Sequence, residues 1–199
     1  LAVDKKKISK DRIVNTLLVK VEENQSIKDV NLRGIAKAMG CAHTNIYNYF
    51  NNFSEIIWTA LGQILSNMID DVEARVALGK NDQERFFIAL DTIISFSLDH
   101  PGWYRLVWLE SIDGEPPEEI AMILTKPTAG FEELLSKASG EHLTDIDVSR
   151  IANMLHSYMH GEICQWLSGR AKEKQKKELR AEILSNLKQM YQLLTQEIE

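Results

Sequence analysis

Between Asn31 and Phe50 the chain reads Asn-Leu-Arg-Gly-Ile-Ala-Lys-Ala-Met-Gly-Cys-Ala-His-Thr-Asn-Ile-Tyr-Asn-Tyr-Phe, and its hydrogen-bonding chemistry is concentrated there. His43, Thr44, Asn45, Tyr47, Asn48 and Tyr49 crowd around a single apolar residue, Ile46, with no carboxylate among them. Donors without acids suit a polyanion. Hydroxyl, amide and imidazole groups bond phosphate oxygens, and Asn can also address an adenine edge in bidentate fashion. Tyr47 and Tyr49 are read as contacts to a phosphate backbone, the alternative being that they cover the first helix. Lys28 and Arg33 could flank phosphates or be plain solvated charges. Lys5, Lys6 and Lys7 could form an arm that seeks a groove, although a frayed terminus is the commoner outcome.

A second group carries different chemistry. His156, His160 and Cys164 stand at i, i+4 and i+8, a spacing that lines them along one helix and could present soft metal ligands. No ligand cluster elsewhere in the sequence supports them, so a packed or interface stripe is the expectation, and no metal or cofactor is expected. The chain has no Gly-rich phosphate loop, no Gly-x-Ser-x-Gly and no His-Glu-x-x-His. Carboxylate pairs such as Asp70-Asp71 and Glu118-Glu119 are neighbours in helical patterns and point apart. The expectation is a binding protein and not an enzyme.

These side chains need elements to hold them. Apolar residues recur with a helical period throughout, and the few glycines and prolines fall between the periodic runs, so an all-α chain is expected. A first helix spans Ile8 to Glu23, with Ser9 as its cap, Ile13, Leu17 and Val21 on its buried face, and Asn24 as terminator. Asn31 caps a second helix that ends at Gly40, whose freedom at positive φ allows a sharp turn. A short helix follows from His43 to Tyr49, buried through Ile46 and Phe50, and Ser54 caps a fourth that runs towards Arg75.

Further on, Asn81–Asp99 is helical until His100-Pro101-Gly102 stops it. Trp103–Ser111 is a short aromatic helix. The run from Pro117 to Lys137 should be kinked or split by Pro127. Two long amphipathic helices close the chain, one from Thr144 or Asp145 to Leu167 and one from Lys172 to Ile198. They are natural material for a four-helix interface between two chains.

Bulk properties agree. The 199 residues are 44% hydrophobic and 26% charged, which excludes a disordered chain. Two cysteines are too few for a disulfide framework. No run is long and apolar enough for a membrane span, and the start lacks the apolar core of a secretory signal, so a cytoplasmic protein is expected. Net charge is −6 but unevenly spread: residues 1–60 hold 9 Lys and Arg against 6 Asp and Glu, while the remainder holds 14 against 23. A positive N-terminal third on an acidic body is expected when one end meets a polyanion.

The Asn31–Phe50 stretch resembles the helix-turn-helix of the tetracycline-repressor (TetR) family of bacterial transcription regulators. The likeness rests on Ile35-Ala36, Met39-Gly40, Ile46-Tyr47, Tyr49-Phe50 and Glu55-Ile56-Ile57 at matching spacing, and on the preceding helix. The match by motif covers residues 8–60; a Met159-His160-Gly161 step is similar to one in the penultimate helix of many members. The sequence departs from the pattern in three ways. Cys41-Ala42 replaces the usual Val-Ser and removes a capping hydroxyl worth about 1 kcal/mol. Asn45 stands for a frequent Thr, and Phe53 for a lysine that contacts phosphate.

The resemblance implies a three-helix helix-turn-helix DNA-binding domain at residues 1–52 and a helical regulatory and dimerisation domain at 53–199. Arg33, His43, Thr44, Asn45, Tyr47, Asn48 and Tyr49 would meet an operator. The family's C-terminal helices often enclose an inducer cavity lined by aromatic and Met side chains, which suggests Phe96, Trp103, Tyr104, Trp108, Met122 and Tyr158 as lining; an ordinary core is the other reading. The expected protein is a homodimer, joined through its two C-terminal helices, that represses from a palindromic operator and responds to a small molecule. Two other readings remain. A helical adaptor would use the N-terminal domain for protein contact, and a helical enzyme would use an apolar pocket.

Overall fold

The computed structural model describes residues 8–140, 142–170 and 174–196. Lys5–Lys7, the expected helix start at Lys172 and the expected end at Ile198 lie outside them. Among the described residues every regular element is helical and no strand occurs. The chain divides into two compact units.

The first unit runs to Ser66 and takes in His100–Leu124. It holds α1 (Lys10–Asn24), α2 (Leu32–Met39), a 3-10 helix (His43–Asn48), the start of α3 (Phe53–Val76), α5 (Pro101–Trp108) and the start of α6 (Glu118–Ala138). Ile13, Leu17 and Val21 are fully buried, the face that their four-residue spacing requires. Ser9 caps α1, its side chain accepting from Arg12 N at 3.2 Å. The left-handed terminator is Gln25 (φ 57°) and not Asn24, which remains the last helical residue. α5 lies close against α1. Gly102 is buried there, and the Trp103 indole donates to the Leu18 carbonyl at 3.0 Å.

The second unit comprises Asn67–Asp99 and the chain from Thr125 onwards. It contains the end of α3, α4 (Asp82–Asp99), the rest of α6, α7 (Asp145–Leu167) and α8 (Lys176–Leu194). α8 packs on α4 and α7. Its Leu179, Ile183, Leu187 and Tyr191 are buried, and Arg180 clasps Asp91 through two bonds of 2.6 Å. At the centre Phe86 meets Phe131 edge-on at 5.4 Å and Tyr191 at 5.6 Å. α6 is continuous through Pro127, where the sequence suggested a kink or split.

Candidate nucleic-acid interface

The interface is built on one corner. Asn31 Oδ1 accepts from Gly34 N at 3.0 Å and starts α2. Gly40 ends it at φ 69°, and the Gly40 and Cys41 amides return to the carbonyls of Lys37 and Ala36. The Arg12 guanidinium donates to the Met39 carbonyl at 3.0 Å, which ties the end of α2 to α1. Beyond the corner the chain winds as a 3-10 helix, with Asn45 N bonded to the Ala42 carbonyl and Tyr49 N to the Ile46 carbonyl. Ala42 gives this segment no side-chain cap, as the missing hydroxyl foretold. At six residues it is longer than such winding usually runs, since 3-10 geometry seldom persists beyond three or four residues.

At three residues per turn, Thr44 stands beside Tyr47 and Asn45 beside Asn48. All four are exposed, as is His43, while Ile46 is fully buried and Phe50 nearly so. Tyr47 is 52% exposed. The polar side chains therefore share an outward surface, and one apolar anchor fixes them to the unit. Arg33 is exposed in the first turn of α2, and Lys37, four residues later, adds a second cation on the same side. The sequence reading did not single out Lys37, although the i, i+4 spacing to Arg33 carried the signal.

Tyr49 differs from its neighbours. It is half-buried, and its hydroxyl donates to the Ile8 carbonyl at 2.9 Å, so it steadies the start of α1. Lys10 lies 5.4 Å over the Phe50 ring on the same side. α3 begins at Phe53, one residue earlier than expected. Its cap is Asn52, not Ser54: Asn52 Oδ1 accepts from Glu55 N at 2.8 Å. The Glu55 carboxylate accepts from Asn51 N and Asn51 Nδ2 at 2.7 and 2.8 Å, which pins the exit of the 3-10 segment.

The second unit contains a cleft of about 600 Å³ between α3, α4 and α6. Met68, Val72, Val76, Ile93, Phe131 and Leu134 form its apolar walls, and Asp70, Glu73, Lys126 and Glu133 are its charged groups. A cleft of this size and lining suits a small molecule. The six residues suggested earlier do not line it. Trp103 holds α1 and stacks on His100 at 4.1 Å, while Tyr104 is buried against Trp108 at 4.7 Å. Met122 is 64% exposed, and Tyr158 accepts a bond from Asn186 at 2.6 Å. Phe96 is half-buried on α4 without reaching the cleft. The usable signal lay in α6, where Pro127, Ala129 and Gly130 leave room that bulkier residues would fill. Among the described residues no cluster of three or more His, Cys, Asp or Glu could hold a metal ion, and no helix is long and apolar enough to cross a membrane.

No protein-family model matches the sequence, and no curated protein matches it. Solved structures match over nearly the whole chain. A protein of unknown function from Rhodococcus sp. RHA1 aligns with a TM-score of 0.76 at 16% identity, covering 98% of this chain and 100% of that one. The transcriptional regulator FadR from Bacillus subtilis, solved in complex with stearoyl-CoA, gives 0.71 at 18%, covering 96% and 100%. A TetR-family transcriptional regulator from Streptomyces coelicolor gives 0.70 at 13%, covering 92% and 82%. The helix order, the glycine corner and these alignments lead to one conclusion: the chain has the fold of the TetR-family transcriptional regulators.

Proposed function

We propose that the protein is a DNA-binding transcriptional repressor that acts as a homodimer and is released by a small effector. The observation that carries this reading is the outward, acid-free surface of His43, Thr44, Asn45, Tyr47 and Asn48, set on a buried Ile46 within a regulator fold. Residues to about 52 meet the operator. Tyr47, Arg33 and Thr44 address phosphates, and Asn45, Asn48 and His43 are available to base edges. Tyr49 contributes through the Ile8 carbonyl and positions the segment.

The second copy joins through α7 and α8. Their outer face exposes Ile146 by 77%, Leu193 by 73% and Met154 by 44%, around a shallow apolar groove that also includes Met190 and Leu194. Such a patch calls for cover, and a self-complementary pairing of two helices from each chain supplies it. Two recognition segments then enter successive major grooves about 34 Å apart on a palindromic site.

The effector reading rests on the apolar cleft. One solved structure with this fold holds an acyl-CoA, and the apolar walls here suit a fatty-acyl chain, although Asp70, Glu73 and Glu133 outnumber Lys126 among the charged lining groups and favour a ligand without a strongly anionic head inside the cleft. α3 supplies Met68, Val72 and Val76 to the cleft and buried Ile56 and Ile57 to the first unit, so one helix carries a ligand's effect towards the recognition segment. A ligand shifts the equilibrium only if it binds the two states unequally.

Fluorescence-anisotropy titration of operator DNA tests the reading. Affinity should fall steeply as salt rises, and Tyr47→Ala should weaken binding about tenfold, a loss of one charge-assisted phosphate contact. Salt-independent binding, or a Tyr47→Ala variant as tight as the parent, would favour the adaptor reading instead.

A further inference from the structure

His156, His160 and Cys164 rise along α7 at one-turn intervals. The two imidazole rings stack with centroids 6.0 Å apart and planes 17° from parallel, and His160 Nε2 lies 3.5 Å from Cys164 Sγ. That last distance has chemical meaning. A tetrahedral zinc ion about 2.1 Å from an imidazole nitrogen and about 2.3 Å from a thiolate sulfur holds the two about 3.6 Å apart. The pair already has the separation of two ligands on one ion, and a modest tilt of the ring would aim both at it.

One chain supplies only part of a coordination sphere, since no third ligand converges among the described residues. The position of the pair on α7 indicates where the rest comes from. Ile146, Arg150, Asn153, Ser157, Gly161 and Cys164 follow spacings of four, three, four, four and three, so they share one outward face of α7, a seam along which a second helix could lie. The apolar groove occupies the first part of that seam. Gly161 has no atom within 4 Å of where a Cβ would stand, so a second backbone can come close beside the pair.

We propose that a thiophilic divalent cation, zinc in the first instance, is bound between two copies of the chain by His160 Nε2 and Cys164 Sγ of each. The four ligands make an N2S2 tetrahedron, and each thiol gives up its proton to solvent as its sulfur binds the ion. The inference rests on the dimer reading above. An ion held by the dimer and not by the single chain strengthens association by mass action, about 100-fold at a free concentration 100 times its dissociation constant.

Cobalt(II) is the probe, added to the reduced, metal-free 199-residue chain. The expected result is the intense visible absorption of tetrahedral cobalt–thiolate, saturating at one ion per two chains and bleached by zinc. His160→Gln and Cys164→Ser should each weaken binding about 100-fold, and Cys41→Ser should leave it unchanged. Absence of the band, its survival in Cys164→Ser, or saturation at one ion per chain overturns the proposal. Sedimentation in chelator separates the two readings: a metal-free dimer that ignores cobalt sinks the metal site alone. A chain that stays monomeric with and without the ion sinks the dimer.

Discussion

Gly102 offers a sharp test of how α5 is seated on α1. A methyl group there would lie 2.5 Å from the Val21 carbonyl oxygen and 2.8 Å from Glu22 Cα, where ordinary contact begins near 3.4 Å. Both obstacles are backbone, so no side chain can swing aside, and α5 must withdraw by roughly 1 Å. That withdrawal stretches the bond from the Trp103 indole to the Leu18 carbonyl, now 3.0 Å, and the one from Trp103 N to Glu22 Oε2, now 3.3 Å. Overpacking costs about 1–3 kcal/mol and a weakened hydrogen bond about 1 kcal/mol, while replacing glycine in a helix returns up to about 1 kcal/mol. Gly102→Ala should therefore destabilise the protein by about 2 kcal/mol, read as a lower urea midpoint at unchanged slope. Gly130→Ala is the matched control. Nothing lies within 4 Å of its Cβ position in the middle of α6, so the same change should stabilise by about 0.5–1 kcal/mol. A Gly102→Ala midpoint equal to the parent's would refute the close approach of α5 to α1.

Burial raises the Tyr191 phenol above its ordinary value of 10.0, against weaker lowering by its hydrogen bonds to Gln83 and Thr195. The folded chain then keeps a proton that the unfolded chain loses, so this contribution is whole below about pH 10 and disappears as pH rises further. Tyr191→Phe should flatten that alkaline loss in urea titrations at several pH values. It should also cost about 1 kcal/mol at neutral pH, because the Ala138 carbonyl loses a donor at 2.6 Å. Asn31→Ala, by removing the α2 cap, should lower stability by about 1 kcal/mol in thermal melts. Gly161→Ala distinguishes a free helix face from an interface. Sedimentation equilibrium should show weakened dimerisation, whereas a bare surface would show only a small gain in stability.

Much of the fold was legible because periodicity and caps are local. Ser9, Asn31 and Gly40 act where their side chains or backbone freedom require, and Ile13, Leu17 and Val21 are buried as their spacing demands. The outward surface of the recognition segment was legible for the same reason, since one buried Ile46 fixes which way its neighbours face. Features that depend on distant partners were not. Tyr49 bonds to Ile8, and Trp103 to Leu18, across 41 and 85 positions of sequence. The resemblance, which carries no information about those contacts, suggested Trp103 and Met122 as cavity lining, whereas one clamps α1 and the other faces outward. The cleft formed instead where small residues and Pro127 on α6 oppose α3 and α4, a negative feature that hydropathy patterns do not display.

Selecting bound sequences from a random pool of duplex DNA addresses the claim on which the functional reading depends. Recovery of one inverted repeat whose half-sites lie about a helical turn apart is expected, as is its loss from the pool when Tyr47 and Asn48 are both changed to Ala. Recovery of no common sequence, or of a motif indifferent to that double change, would contradict that claim.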